Sequence, residues 1–227
     1  MIKTPNDLVF SNPSIKKDKI DNLGKAEFQI MKPHIKKFRT CLDIGANIGI
    51  TTIRFAKHFK EVHSFEPLTH DFLVENTKKL SNVHTHKCAV SDKNDTVIEI
   101  YPNPNNYMLG IIPDEYNKRF IDKRYTGEHA RFKGVKPISV DCITIDALNF
   151  KDVDLIKIDV EGHILPVVNG MIETLKNNSP VIQIEMFDVP DFTEMNQKVH
   201  DIFQNLGYDI IDTYSKGLQR DRFYSKG

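Results

Sequence analysis

Cys41-Leu42-Asp43-Ile44-Gly45-Ala46-Asn47-Ile48-Gly49 is the stretch from which the rest of the chain is read. Cys41 to Ile44 is a short apolar run, the kind that fits a buried parallel strand. It stops at Gly45, and Gly49 closes the turn. Beyond it, Ile53, Phe55, Ala56 and Phe59 recur at close to helical spacing, which predicts a helix over Thr51 to Phe59. Strand, tight glycine turn and helix together aim free backbone N–H groups, and the positive end of the helix, at whatever sits above the strand. Val62 to Phe65 reads as the next strand, ending at Glu66-Pro67.

A dinucleotide fingerprint, G-x-G-x-x-G, uses its second glycine to bring a pyrophosphate against the backbone. Here Asn47 occupies that place, so the sharp turn is kept and the pyrophosphate seat is obstructed. S-adenosylmethionine (SAM) has an adenosine and no pyrophosphate, and it suits this loop better. Glu66 falls about twenty residues after Gly45, where an acidic strand-end side chain meets ribose hydroxyls. Alone it is as readily a solvated strand-end residue; joined to Asp43-x-Gly-x-x-x-Gly it becomes a ligand group.

LDIGANIG (residues 42–49), FEP (65–67) and LIKIDVEG (155–162) together resemble the FkbM-type family of SAM-dependent methyltransferases, over roughly residues 40 to 210. DIGANIG alone speaks only for a SAM methyltransferase; KIDVEG followed by Asn169-Gly170 points to this family. Where the family usually has Ala-Glu after that motif, this chain has His163-Ile164. The resemblance implies a Rossmann-like class I α/β fold: a mostly parallel seven-stranded sheet with an antiparallel last strand and helices on both faces. It implies SAM as cofactor, held by Asp43, Gly45, Ala46, Asn47, Gly49, Glu66 and Pro67, with the adenine at the Ala89 to Asp92 corner, where Ala89 and Asp92 are the candidates. It also implies O-methylation of a hydroxyl on a sugar, glycan or polyketide-type small molecule.

Size and composition set outer limits. The chain has 227 residues, 40% hydrophobic, within the range of one α/β domain. With 31 acidic and 31 basic residues the net charge is zero, so nothing draws it to nucleic acid or an anionic membrane. No apolar run is long enough to span a bilayer, and no apolar signal region appears near the N-terminus. Cys41, Cys88 and Cys142 are expected as buried free thiols, which fits a reducing, cytoplasmic setting.

Residues 1–40 read as a lead-in with lid helices, including a new helical start at Pro33 running through Phe38; Glu27 falls where a lid helix could reach the ligand, with an ordinary exposed helix carboxylate the preferred reading. Residues 41–227 read as a single methyltransferase domain. Thr69 to Leu80 is the second helix, and Val83 to Val90 the third strand, with His84, His86 and Cys88 on one face; the zinc reading of that set lacks a fourth ligand. Thr96 to Tyr101 is an extra strand. An irregular insertion at about 102–137 carries four prolines and a basic-aromatic stretch from Tyr116 to Phe132, which suits either an acceptor contact or a solvated helix face. Ile138 to Ile145 reads as a strand returning to the sheet.

Val153 to Val160 is the central strand after the crossover. Its end carries Asp159, Glu161, Gly162 and His163. Ligands in open α/β sheets bind beyond such strand ends, at the switch in strand order. Asp159, Glu161 and His163 are therefore the catalytic candidates, any one of them the base for a hydroxyl acceptor. Asp159, Glu161, Glu185 and Asp188 also supply hard oxygens for a divalent metal, an option below the metal-free one. A helix follows from Ile164 to Leu175, with Gly170 explained by close packing on the sheet. Pro180 to Met186, Tyr208 to Tyr214 and Leu218 to Tyr224 complete the strands, with Phe192 to Leu206 a helix capped by Gly207. Rival readings are a nicotinamide-dependent oxidoreductase on a similar sheet, a non-catalytic SAM-binding module, and N-methylation. Oligomeric state is open.

Overall fold

A computed structural model describes residues 24–102, 110–112, 134–216 and 219–227. The lead-in before residue 24, the basic-aromatic stretch and residues 217–218 lie outside the described residues. Eleven strands are described: β1 (Thr40–Ile44), β2 (Glu61–Phe65), β3 (Val83–His86), β4 (Ala89–Val90), β5 (Thr96–Pro102), β6 (Gly110–Ile111), β7 (Ile138–Ile143), β8 (Val153–Ile158), β9 (Val181–Phe187), β10 (Asp209–Lys216) and β11 (Gln219–Ser225). The α-helices are α1 (Lys25–Met31), α2 (Ile50–Phe55), α3 (His70–Thr77), α4 (Ile164–Asn169), α5 (Ile172–Asn178) and α6 (Thr193–Asn205).

Seven strands form the main sheet in the order β10-β11-β9-β8-β1-β2-β3. The pairs from β3 through β9 are parallel, and β11 runs antiparallel to both its neighbours. The chain winds outward from β1 to β3 and then crosses back to β8, so the switch in strand order lies between β1 and β8. Every residue of β1 is buried. Leu42 and Ile44 pack toward Val167, Val168, Leu175, Val199 and Phe203, on the side of α4, α5 and α6. Cys41 packs toward Phe28, Met31 and Phe55 on the side of α1 and α2. This two-sided core explains why β1 reads as an unbroken apolar run.

The structure corrects several expectations. The third strand breaks after His86: β4 leaves the main sheet and pairs with β7 in a separate four-stranded sheet, ordered β4-β7-β5-β6. Ile138 to Ile143 therefore joins this small sheet and does not return to the large one. Lys32–His34 is a single 3-10 turn, and Ile35 is already extended, so no helix runs on to Phe38. The predicted helix from Ile164 splits at Gly170-Met171 into α4 and α5. Gly170 is a close-packing glycine, but its neighbour is the loop after β4: an added Cβ would stand 1.9 Å from the Ser91 carbonyl oxygen. Gly207 ends α6 with a φ of 81°, as a helix-terminating glycine does. Among the described residues no helix is long and apolar enough to cross a membrane.

Candidate active site

The loop from β1 to α2 is held at both ends. Gly45 has a φ of 76°, and a Cβ there would lie 1.8 Å from the carbonyl oxygen of Asp159, so only glycine lets the two strand ends meet. The Asp159 N–H donates to the Ile44 carbonyl at 3.0 Å across the same junction. Asn47 is left-handed, with a φ of 54°, a conformation asparagine tolerates. Its side-chain oxygen accepts from the Ile48 N–H at 2.7 Å. Gly49, with a φ of 91°, closes the turn beneath Leu73.

Asp43 pins this loop from below. It is fully buried, and its Oδ2 accepts from Thr51 Oγ1 at 2.8 Å and Thr52 Oγ1 at 2.7 Å. Its Oδ1 faces Lys157 Nζ at 3.3 Å. Lys157 also reaches Asp159 Oδ2 and the Gly45 carbonyl, each at 3.3 Å. Burial works against the ammonium, but Asp159 and Asp43 overcome it and hold Lys157 above the usual lysine range.

Glu66, just past β2, is buried. Its Oε2 accepts the Asn47 N–H at 3.0 Å, and its Oε1 accepts the N–H groups of Leu68 at 2.8 Å and Thr69 at 3.0 Å. Burial pushes its carboxyl up, against the opposing pull of those backbone donors. The carboxylate stands on the wall of a cavity of about 270 Å³. Its walls combine apolar groups from Phe65, Pro67, Leu68, Ala89, Val90 and Ile100, an apolar slot, with the acids Asp159, Glu161 and Glu185. The small sheet, through β4, β5 and Gly110, thus closes the slot. A second cavity of about 190 Å³ shares Gly45, Asn47, Asp159 and Glu185 in its walls, and adds Glu27, Lys157, Gln183 and Asp221.

The acidic tip is tightly grouped. Asp159, Glu161 and Glu185 bring one oxygen each to within 4.8 Å of one another. Burial, then the charges of Asp159 and Glu161, push Glu185 up to about 10, so at neutral pH it holds a proton. Glu161 adopts a φ of 49° and Gly162 one of 90°, two left-handed residues in succession that turn the chain away from β8. The three oxygens are of the type a hard divalent cation takes, with Lys157 already set against Asp159. Asp188 is elsewhere, paired with Arg220 at 2.6 Å.

The profile of the Methyltransferase FkbM domain matches residues 43–210. The chain belongs to the FkbM methyltransferase family. A curated relative, the methyltransferase sdnD of Sordaria araneosa, is 25% identical over 194 residues, covering 74% of this chain and 73% of that protein. The solved FkbM methyltransferase of Methylobacillus flagellatus superposes with a TM-score of 0.52 at 13% identity, over 97% of this chain. This chain spans only 56% of that larger structure. A putative RNA methyltransferase from Pyrococcus horikoshii superposes at 0.53, with 12% identity, over 98% of this chain and 94% of its own. At these identities the superpositions speak for the fold, the class I methyltransferase sheet.

Within this FkbM-family site the predicted residues separate into groups. Gly45, Asn47, Glu66, Pro67, Ala89, Asp159 and Glu161 line the first cavity, and Ala46 lines the second. Asp43 and Gly49 line neither; they shape the loop. Asp92 is exposed and outside both cavities, and β4 itself contributes Ala89 and Val90. His163 stands apart from the other two catalytic candidates. It is buried, lines neither cavity, and its Nε2 bonds Ser91 Oγ at 2.9 Å, which ties the end of β8 to the loop after β4. Glu27 is buried and lines the second cavity, which departs from the exposed-carboxylate reading and agrees with the lid-helix one. The sequence reading missed Lys157, Gln183 and Asp221. Lys157 and Gln183 could have been found as polar residues inside apolar runs, whereas Asp221 stands in a polar strand; Lys157 pairs in register with Asp43 and Gln183, and Asp221 with Glu185.

Proposed function

We propose that this FkbM-family chain transfers the methyl group of SAM to a hydroxyl oxygen on a sugar, glycan or polyketide-type small molecule. The observation that carries the proposal is Glu66: a buried carboxylate, fixed by three backbone N–H groups, at the junction between an apolar slot and a cluster of acids. The residues fit the cosubstrate. Phe65, Leu68, Val90 and Ile100 would hold a flat base, and Glu66 would accept from ribose hydroxyls. The second cavity offers Lys157 together with Asp159 and Asp221, charges of both signs for a zwitterionic amino-acid end. Asn47 argues against a dinucleotide, because its backbone N–H, which a pyrophosphate would need, already donates to Glu66.

Bound SAM supplies an electrophilic methyl on a sulfonium. The chain's own task is alignment and proton removal. The rigid β1–β8 junction fixes the tip that would position the acceptor oxygen, and such alignment is worth roughly 7–11 kcal/mol. Asp159 and Glu161 are the groups placed to take the hydroxyl proton, a contribution of about 10²- to 10⁴-fold. Glu185, protonated at neutral pH, donates a hydrogen bond there. The three free, buried cysteines support a reducing, cytoplasmic setting.

The test is calorimetric titration with S-adenosylhomocysteine and, separately, with NADH. Heat from the first and none from the second is expected; the reverse pattern would replace methyl transfer with hydride transfer. Labelled SAM offered with paired hydroxyl and amine acceptors then decides the acceptor atom, and label entering only amines would remove O-methylation.

A further inference from the structure

The other face of the β2–β3 edge carries a second concentration of chemistry, separate from the cofactor cavity. Glu61 and His63 lie two apart on β2 and so share a face, and His84 on β3 is the register partner of His63. One ligand atom from each of Glu61, His63 and His84 lies within 4.8 Å of the others. His84 Nε2 already meets Glu61 Oε2. The His63 and His84 rings stack at 4.7 Å. His63 Nδ1 contacts His86 Nε2 at 3.2 Å, and the tautomer that donates along this contact leaves the His63 Nε2 lone pair available. Phe150 packs edge-on against His63 at 4.6 Å and fixes its ring.

We infer that Glu61, His63 and His84 form a binding site for a borderline divalent transition metal, of which zinc is the test case. Two imidazoles and one carboxylate are the donors such ions take in three-ligand sites that keep a position for water. Ligand atoms around tetrahedral zinc stand about 3.4 Å apart, so the site closes by shifts of about 1 Å. The side chains that must move, His84 and Glu61, are 46% and 51% exposed. His63, the pinned member, needs no movement. His86 supplies the outer hydrogen bond that commonly orients a metal-bound histidine. β3 is the edge of the sheet, so the ion has a path from solvent. The set differs from the zinc candidate suggested by the sequence, because Cys88 lies beyond the end of β3 and lines the cofactor cavity.

Tag-free protein is stripped with a chelator and titrated with zinc alone against a chromophoric competitor. One zinc per chain is expected. His84→Ala and Glu61→Gln should each weaken it by at least about tenfold, and Glu185→Gln should leave it unchanged. Cobalt loading should give the visible bands of nitrogen ligation, lost in His84→Ala. Thermal melts check that the two surface variants stay folded. No zinc uptake by about 100 µM, equal affinity in both surface variants, or loss through Glu185→Gln would each overturn the site.

Discussion

Replacing Glu66 by Gln tests the core of the proposed site with one atom. Glu66 holds three backbone donors on two oxygens. An amide in its place keeps one oxygen. The better orientation leaves that oxygen on Leu68 and Thr69 and turns the NH2 toward the Asn47 N–H, donor against donor. An unsatisfied buried N–H costs about 1–3 kcal/mol. Part of that is offset, because burial already disfavours the ionised carboxylate, as its raised position shows. The net loss of stability is then about 1 kcal/mol, a fall of roughly 2–4 °C in melting temperature for a chain of this size. Binding suffers more. A ribose hydroxyl donating to a carboxylate contributes about 1.5–3 kcal/mol, so S-adenosylhomocysteine should bind roughly 10- to 150-fold more weakly. Calorimetry reads the affinity, and a thermal melt without ligand reads the fold. An affinity within about threefold of wild type, in a variant that melts normally, would refute the assignment of Glu66 to the ribose.

The acidic tip and the loop give further expectations. Asp159→Asn and Glu161→Gln should keep the fold and lower turnover by about tenfold or more, whereas His163→Gln should cost stability but keep turnover; labelled methyl transfer beside melts separates them. Gly45→Ala should destabilise by at least about 2 kcal/mol more than Gly207→Ala in urea unfolding: both residues have positive φ, but only Gly45 faces a backbone carbonyl, while a Cβ at Gly207 meets nothing within 4 Å. Glu185 gives a pH signature. Its folded carboxyl is raised above the unfolded value, so its contribution is present below about pH 4.5 and is lost as pH rises toward 10. Glu185→Gln should therefore melt like wild type near pH 4.5 and higher than wild type near pH 9, in chelator and without ligand; an equal difference at both pH values would count against the buried protonated acid.

The parts of the fold legible in the sequence were those where backbone and burial demand one residue type. Gly45 is required by the close approach of Asp159, and the apolar runs of β1, β8 and β9 are required by burial on both faces. These located the central strands and the switch between β1 and β8. Where a residue type is compatible with two environments, the reading failed. Val83 to Val90 looks like one strand because alternation says nothing about which sheet a strand joins; β4 leaves because its partner is β7, more than forty residues away in sequence. His163 and Asp92 stand near the right strand ends, but spacing along a chain does not tell which way a side chain turns at a loop. Burial directs the first toward Ser91, and exposure leaves the second in solvent.

Lys157 shows what the missed polar residues accomplish together. A lysine in the middle of an apolar strand is costly unless its charge is met, and here three partners meet it: Asp43, Asp159 and the Gly45 carbonyl. Each partner belongs to a different part of the site. Asp43 holds the start of α2 through Thr51 and Thr52, Gly45 opens the loop, and Asp159 is the acidic tip. The two cavities therefore share a wall that is one electrostatic unit, not a chance meeting of two loops. Removing a single partner leaves the others buried without full compensation, which is why the loop over β1 and the tip of β8 should respond to substitution as one element.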